Sequence, residues 1–409
     1  MNADRGHPWR ADRQAVGSAA GLRVAVVITR LEGGAGRLAL RGATAMDPEA
    51  FRMTIIAGSG DELANEASAA GLEFITAPSL RRPIDPRHDV AATRWLTALF
   101  GSRGFDVVHT HTAKAGAIGR LAAHRAHVPR IVHTYHGFPF HEFQSPARRR
   151  AYIAMEQRLG RFTDVALCVG TGVAAEAVRR RLVRPDRVRT IGVVVDGPGA
   201  AAASMSARSP EARARARRTL GLAADAEVVG TVGRLTYQKA PEDFLAALAK
   251  LGRPGTTGVW IGGGELADRV RRIANGLPDV NVLLTGERSD VLELLPAFDV
   301  FALASRYEGL PTVVVEAMLC GVPVVATAVN AVSDVVIPGE TGLLVPARKP
   351  AQLAEAVRYL LDSPQTARRL ADAARARVAD RYSEPALREV LMSAYRPTAG
   401  AGSLAEARR

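Results

Sequence analysis

Two glutamates, Glu308 and Glu316, stand eight positions apart in SRYEGLPTVVVEAMLCGVPVVAT, residues 305–327. Carboxylates suit sugar and ribose hydroxyls, because each accepts two hydrogen bonds from a diol. Gly309 and Pro311 impose a turn, and TVVVEAMLCG then reads as a helix opening just after a strand end. The first glutamate then lies in the loop, and the second two turns into the helix. Backbone N–H groups around Leu310 and Thr312 would face an anion at that helix N-terminus. The plainer alternative is a pair of exposed or capping glutamates.

A second stretch, VVITRLEGGAGRLAL at residues 26–40, sets glycines between an apolar run and a helix-like segment. Gly34 to Ala39 fits G-x-G-x-x-A, and glycine lets a phosphate approach backbone N–H groups with no side chain in the way. In dinucleotide folds the first glycine ends the strand directly, whereas here Arg30, Leu31 and Glu32 intervene. Asp61, the acid nearest to where a ribose ligand would fall, sits in a polar GSGDE turn. The nicotinamide or flavin reading therefore loses to another phosphate ligand.

These residues need elements to position them. Short Val/Ile-rich runs alternate with longer Ala/Leu/Arg stretches of helical period, the pattern of parallel sheets covered on both faces. Strands are expected at 22–29, 51–57, 72–77, 106–110, 130–135, 164–169 and 187–195. A Gly/Ala/Ser/Pro-rich stretch follows, and strands restart at 227–235, 257–262, 281–286, 299–305, 323–327 and 341–346. The predicted fold is α/β, with two Rossmann-like parallel-sheet domains facing across a cleft. The expected boundaries are a lead-in at 1–20, a first domain at 21–198, a linker at 199–217 and a second domain at 218–383, followed by a helix at 384–396 and a tail at 397–409.

With 409 residues, two domains are the natural division. The net charge is +13, and residues 1–198 hold 28 Lys and Arg against 18 Asp and Glu. A basic first half suits an anionic membrane surface or a phosphorylated substrate; an Arg-rich composition bias explains it equally. Zinc-finger spacing and RNP-like aromatics are absent, so nucleic acid is not an expected partner. Arg148–Arg150 and Arg179–Arg181 read as solvated faces, with docking on anionic headgroups as the alternative. Cys168 and Cys320 lie in apolar contexts and read as buried reduced thiols, which implies a reducing, cytoplasmic compartment. No run is long enough to span a membrane, and residues 1–21 lack the apolar core of a secretory signal.

The segments SRYEGLPTVVVEAM, GVPVVAT and GETGLLVP resemble the C-terminal signature of the family-4 retaining glycosyltransferases, which have the GT-B architecture. GTVGRLTYQKAPEDFLAAL is similar to the family's stretch that clamps the donor diphosphate, through Arg234 and Lys239 here. A fork-shaped guanidinium and a point-charge ammonium make a sensible clamp. GFDVVHTHTAKAGAIGRLAAHRA and VHTYHGFPFHEF resemble acceptor-domain motifs of members that build envelope or capsular polysaccharide on polyprenyl-linked sugars. The resemblance spans residues 22–385. It implies His136 beside the donor sugar, Glu308 on the sugar hydroxyls, and Glu316 on the ribose. It also implies that Gly33 and Gly34 reach the donor phosphates, together with Gly309, Leu310, Pro311 and Thr312. Arg288, in TGERSD, belongs to the stretch expected to select the base. His111 and Lys114 are the acceptor-side candidates.

The co-substrate is then a nucleotide-diphosphate sugar, and the acceptor a glycan or polyprenyl-linked hydroxyl. His109, His111, His133 and His136 invite a zinc reading but lack a matching ligand set. No D-x-D occurs, so no divalent metal or other cofactor is expected, and positive groups would stabilise the leaving diphosphate. His109 and His133 alternate into strands and read as structural. The chain departs from the family pattern at Ala240, where glycine is commoner, and at GVVVDGPG (192–199). A sugar-nucleotide epimerase, a phosphorylase or a non-catalytic assembly subunit are the other readings. Peripheral attachment to the inner face of the plasma membrane is compatible with the first.

Overall fold

The structure is a computed structural model that describes residues 21–60, 62–140, 144–195, 209–277 and 280–396. The expected lead-in at 1–20, the tail at 397–409, the first ten residues of the expected linker and Asp61 lie outside these residues.

Seven strands form the first sheet: β1 (Leu22–Ile28), β2 (Phe51–Ala57), β3 (Glu73–Thr76), β4 (Val107–His111), β5 (Arg130–Tyr135), β6 (Val165–Cys168) and β7 (Val188–Thr190). Their order is β3-β2-β1-β4-β5-β6-β7. Between them run α1 (Gly33–Thr44), α2 (Glu62–Ala69), α3 (Pro86–Arg103), α4 (Ala113–Arg125), α5 (Pro146–Gly160) and α6 (Thr171–Arg179). The second sheet holds β8 (Glu227–Val232), β9 (Thr256–Ile261), β10 (Asn281–Gly286), β11 (Val300–Leu303), β12 (Val324–Thr327) and β13 (Leu343–Val345), in the order β10-β9-β8-β11-β12-β13. Its helices are α7 (Pro210–Thr219), α8 (Pro241–Leu251), α9 (Ala267–Asn275), α10 (Val291–Leu294), α11 (Thr312–Leu319), α12 (Pro350–Asp362) and α13 (Pro364–Arg381), and α14 (Glu384–Tyr395) ends the described chain. Each expected strand is present, and the five pairings of the second sheet are all parallel. In the first sheet β1 pairs in parallel with β2 and β4.

The chain divides into two compact units, Met1–Thr134 with Pro139–Ala166 and Arg388–Arg409, and Tyr135–Phe138 with Leu167–Leu387. The first unit's core lies between sheet and helices: Ala25, Val27 and Val108 of the strands meet Leu96, Phe100, Ile118 and Ala122 of α3 and α4. The run from Val24 to Ile28 is buried at every position, as a strand covered on both faces requires. Helix α4 rides unusually close to the sheet. A Cβ on Gly116 would lie 2.4 Å from the His133 ring, and one on Gly119 2.7 Å from Thr110 Cγ2. The two glycines of AKAGAIGRLAA are therefore packing residues. The end of α14 belongs to the same unit, where Tyr395 Oη lies 2.8 Å from His109 Nδ1.

In the second unit Phe244, Leu248 and Leu251 of α8, Trp260 of β9 and Leu353, Val357 and Leu360 of α12 share one buried cluster. Arg217 of α7, 2% exposed, pairs with Asp299 at 3.0 Å just ahead of β11.

One substitution type has opposite signs at two sites of the first unit. Gly116→Ala overpacks α4 against His133 and lowers stability by about 1–3 kcal/mol. Gly101→Ala, near the end of α3 with open space where the methyl would go, raises it by about 0.5–1 kcal/mol. Denaturant midpoints of the two variants should move in opposite directions.

Candidate functional site

The chain runs from β8 outward to β10 and then returns to β11 on the other side of β8. The loops leaving β8 and β11 therefore depart in opposite directions from neighbouring strands, which opens a crevice at their carboxyl ends. Lys239 lies in the loop after β8, and Glu308 in the loop after β11. Lys239 Nζ donates to Glu308 Oε1 at 2.6 Å, and the two side chains are only 15% and 5% exposed.

Neighbours fix the same carboxylate. Ser305 Oγ donates to Oε1 at 2.6 Å. Gln238 Nε2 donates to Oε2 at 3.3 Å and to the Tyr307 carbonyl at 3.1 Å. The Glu308 N–H donates to Asn330 Oδ1 at 3.2 Å. A carboxylate so oriented can still accept hydrogen bonds from hydroxyls on its remaining lone pairs. Ser305, Gln238 and Asn330 escaped the sequence reading, although Gln238 and Ser305 lie within the very motifs it quoted. Nothing in those motifs says that a neutral side chain turns inward.

Gly309 is glycine because of what passes beside it. A Cβ there would lie 1.9 Å from the backbone carbonyl oxygen of His136, so only a hydrogen fits. Both residues belong to the second unit, and the contact brings the HGF turn against the EGLP turn. His136 as a residue is half-buried. Its surroundings nonetheless desolvate the charged form enough to push the imidazole down to about 4. It is a neutral ring at physiological pH.

Arg234 opens the loop after β8 and is exposed; among the described residues it is paired with no carboxylate. It is the cation of this loop left available to an anion. Ala240 adopts φ +51°, ψ +56°, in the left-handed region, immediately before Pro241. That explains the commonness of glycine here, and an alanine in this conformation carries about 1–2 kcal/mol of strain. Arg306 ties the two loops from the other side: its backbone N–H donates to the Gln238 carbonyl at 2.8 Å, and its guanidinium stacks 4.1 Å from the Tyr237 ring centre.

Helix α11 begins at Thr312 with Pro311 as its N-cap; the Val314 N–H donates to the Pro311 carbonyl at 3.0 Å, and the N–H groups of Thr312 and Val313 precede the first intrahelical bond. Leu310 is buried and Glu316 half-buried in the second turn. Arg288 is engaged by Asp290, Nε to Oδ1 at 2.7 Å, which holds its pKa above the usual value.

The candidates of the first unit surround its own switch point between β1 and β4. Gly33 takes φ +60° with open space around it and, with Gly34, opens α1 instead of forming a separate loop. Gly36 packs against Leu31, where a Cβ would lie 2.8 Å from the carbonyl carbon; this glycine serves helix packing. His111, named as an acceptor-side candidate, ends β4 at 2% exposure, its ring 4.2 Å from that of His109, and is buried in the sheet. Lys114 pairs with Asp89 of α3 at 2.7 Å. His109 bridges Tyr395 and Thr134, a structural histidine as expected. Cys168 and Cys320 are buried free thiols pushed up to about 12 by desolvation, too high for nucleophiles.

Two measurements follow from this geometry. Gly309→Ala forces the 309 and 136 segments apart and costs about 1–3 kcal/mol, read as a lowered denaturation midpoint. For His136 the unfolded chain binds more protons than the folded one between the folded value of about 4 and the ordinary value near 6.5. Its contribution is therefore complete above about pH 6.5 and is lost as pH falls toward 4. His136→Gln should narrow the gap between midpoints measured at pH values near 7.5 and 5.

Residues 32–196 match the family described as Glycosyltransferase Family 4, and residues 212–377 match Glycosyl transferases group 1. A D-inositol 3-phosphate glycosyltransferase of Kineococcus radiotolerans is 34% identical over 324 residues, covering 73% of each chain. A UDP-Gal:alpha-D-GlcNAc-diphosphoundecaprenol alpha-1,3-galactosyltransferase of Escherichia coli is 29% identical over 313 residues, 75% of this chain and 79% of that one. The crystal structure of Anabaena HepE in complex with UDP and glucose superimposes with a TM-score of 0.77 at 20% identity, covering 91% of this chain and 98% of HepE. With these matches and its two Rossmann-like sheets, the chain belongs to the family-4 glycosyltransferases of GT-B architecture.

Proposed function

We propose that the protein moves a hexosyl or N-acetylhexosaminyl group from a nucleotide-diphosphate sugar to a hydroxyl of a lipid-linked or envelope glycan, with retained configuration and without a divalent metal. The observation that carries this reading is the shielded Lys239–Glu308 pair at the β8/β11 crevice, with the exposed Arg234 on the same loop as Lys239. UDP and glucose in HepE support a nucleotide-sugar donor, and the diphosphoundecaprenol substrate in the name of the Escherichia coli relative supports a lipid-linked acceptor.

In this reading the second domain, residues 218–383, takes the donor and the first, residues 21–198, the acceptor. Arg234 and Lys239 receive the diphosphate, assisted by the N–H groups at the start of α11. Glu308 accepts hydrogen bonds from the sugar hydroxyls, Glu316 from the ribose, and the neutral His136 orients the sugar. The bond from the anomeric carbon to the phosphate oxygen breaks with its electron pair going to phosphate. The acceptor oxygen bonds to the same face of that carbon, and its proton passes to the departing phosphate. Acceptor contact through Lys114 requires that side chain to leave Asp89. The protein is then cytoplasmic and peripheral at the inner face of the plasma membrane.

The test is calorimetric titration with UDP, GDP and ADP, each with and without EDTA, followed by transfer assays. One diphosphate should bind regardless of EDTA, Arg234→Ala should lower kcat by about 10²–10³-fold, and the product should keep the donor's anomeric configuration. Near wild-type turnover in both Arg234→Ala and Glu316→Gln would overturn the assignment. Consumption of the nucleotide sugar without an acceptor would make the protein an epimerase.

A further inference from the structure

The first unit carries an exposed surface that the transferase reading leaves unused. Six large apolar side chains stand out as exposed among the described residues, and three fall within twelve positions: Ile84 at 70%, Val90 at 50% and Trp95 at 39%. Helix α3 turns Ala92, Thr93, Leu96 and Phe100 inward. Its outward stripe is Arg87, Val90, Ala91, Arg94, Trp95 and Ala98, at the i, i+3, i+4, i+7, i+8 and i+11 spacing of one helix face. Ile84 and the exposed Arg81 and Arg82 lie in the turn leading into this helix.

The charges point to the partner. Among the described residues none of Arg81, Arg82, Arg87 and Arg94 is paired with a carboxylate. Both acids of the segment are occupied: Asp85 caps α3 and lies 2.8 Å from His88, and Asp89 holds Lys114 at 2.7 Å. By contrast Arg179 and Arg180, in one of the two runs considered for this role from sequence, are both bound to Glu176. Guanidinium groups without a carboxylate partner, of which Arg81 donates only to the Pro78 carbonyl, are interleaved with an aromatic and two aliphatic side chains and match the boundary of an anionic bilayer. Arginines there meet headgroup phosphates while Trp and Ile enter the acyl edge. Among the described residues no helix is long and apolar enough to cross a membrane.

We propose that the face formed by Arg81–Ala98 rests on an anionic lipid surface. The proposal deepens the lipid-linked acceptor reading by naming the docking surface, but its test uses lipid without donor or acceptor. Failure here leaves the transferase reading standing, and failure there leaves this one.

The test is sedimentation of the full chain with vesicles of phosphatidylcholine alone or with about one-third phosphatidylglycerol. The expected result is binding to the anionic vesicles only, weakened by salt, with a blue shift of the emission that Trp95→Phe removes. The double variant Arg82→Glu/Arg94→Glu and, separately, Ile84→Ser should each lower the vesicle partition about tenfold or more. Arg179→Glu should leave it unchanged. Nucleotide binding retained by each variant shows that the second unit still folds, and unchanged far-ultraviolet circular dichroism checks the first. Equal binding to both vesicle types, or variants that bind as well as wild type, overturns the proposal. So does a wild-type dimer that the same variants convert to monomer, which would assign the face to a second copy of the chain.

Discussion

The salt bridge between Lys239 and Glu308 joins the two loops that leave β8 and β11. Each loop leaves a different strand, and neither has regular structure to hold it. A charge pair largely shielded from water needs further hydrogen bonds to hold it, and here Ser305 and Gln238 donate to the carboxylate while Asn330 takes the adjoining backbone N–H. The same pair gives the crevice its polarity: a carboxylate on the loop after β11, and Arg234 and Lys239 on the loop after β8. Arg306 stitches the loops together a second time, through backbone and ring contacts.

Around this pair the backbone comes closer to itself than side chains allow. Gly309 lets the His136 carbonyl pass, and the left-handed Ala240 turns the β8 loop into α8 despite its methyl group. Strain and close approach of this kind persist only where surrounding packing over-determines them. For Ala240 that packing is the buried cluster of α8, α12 and the second sheet, of which it is a member. A neutral His136 follows from the same crowding, since desolvation and not a charged neighbour lowers its pKa.

The first unit solves a different problem, that of polar groups inside a parallel sheet. His109, His111 and His133 are all buried, and hydrogen bonds to Tyr395, Thr134 and Thr110 accommodate His109 and His133. Arg120 and Glu156 form an ion pair at 2.7 Å with no exposure on either side. Removing one partner would strand a charge in the core. Such pairs and networks fix which helix lies over which strand, in a sheet whose aliphatic residues alone would tolerate sliding.

The sequence by itself determined the element plan. Apolar runs too short for helices, separated by amphipathic stretches, admit a parallel α/β arrangement and little else, and all thirteen expected strands formed. It also singled out Glu308, Lys239 and Arg234, because they sit in motifs dense with glycine and proline that force loops at strand ends. What only the tertiary structure decided was which groups meet. That Lys239 is the partner of Glu308, that Lys114 is taken by Asp89 and that His111 is buried depend on contacts between residues far apart in the chain. Period and propensity report on neighbours within a few residues, so they carry no record of such meetings. The same limit explains the α3 face. Its arginines and its Trp95 read as ordinary helix residues until the fold shows which side of the helix the core has already claimed.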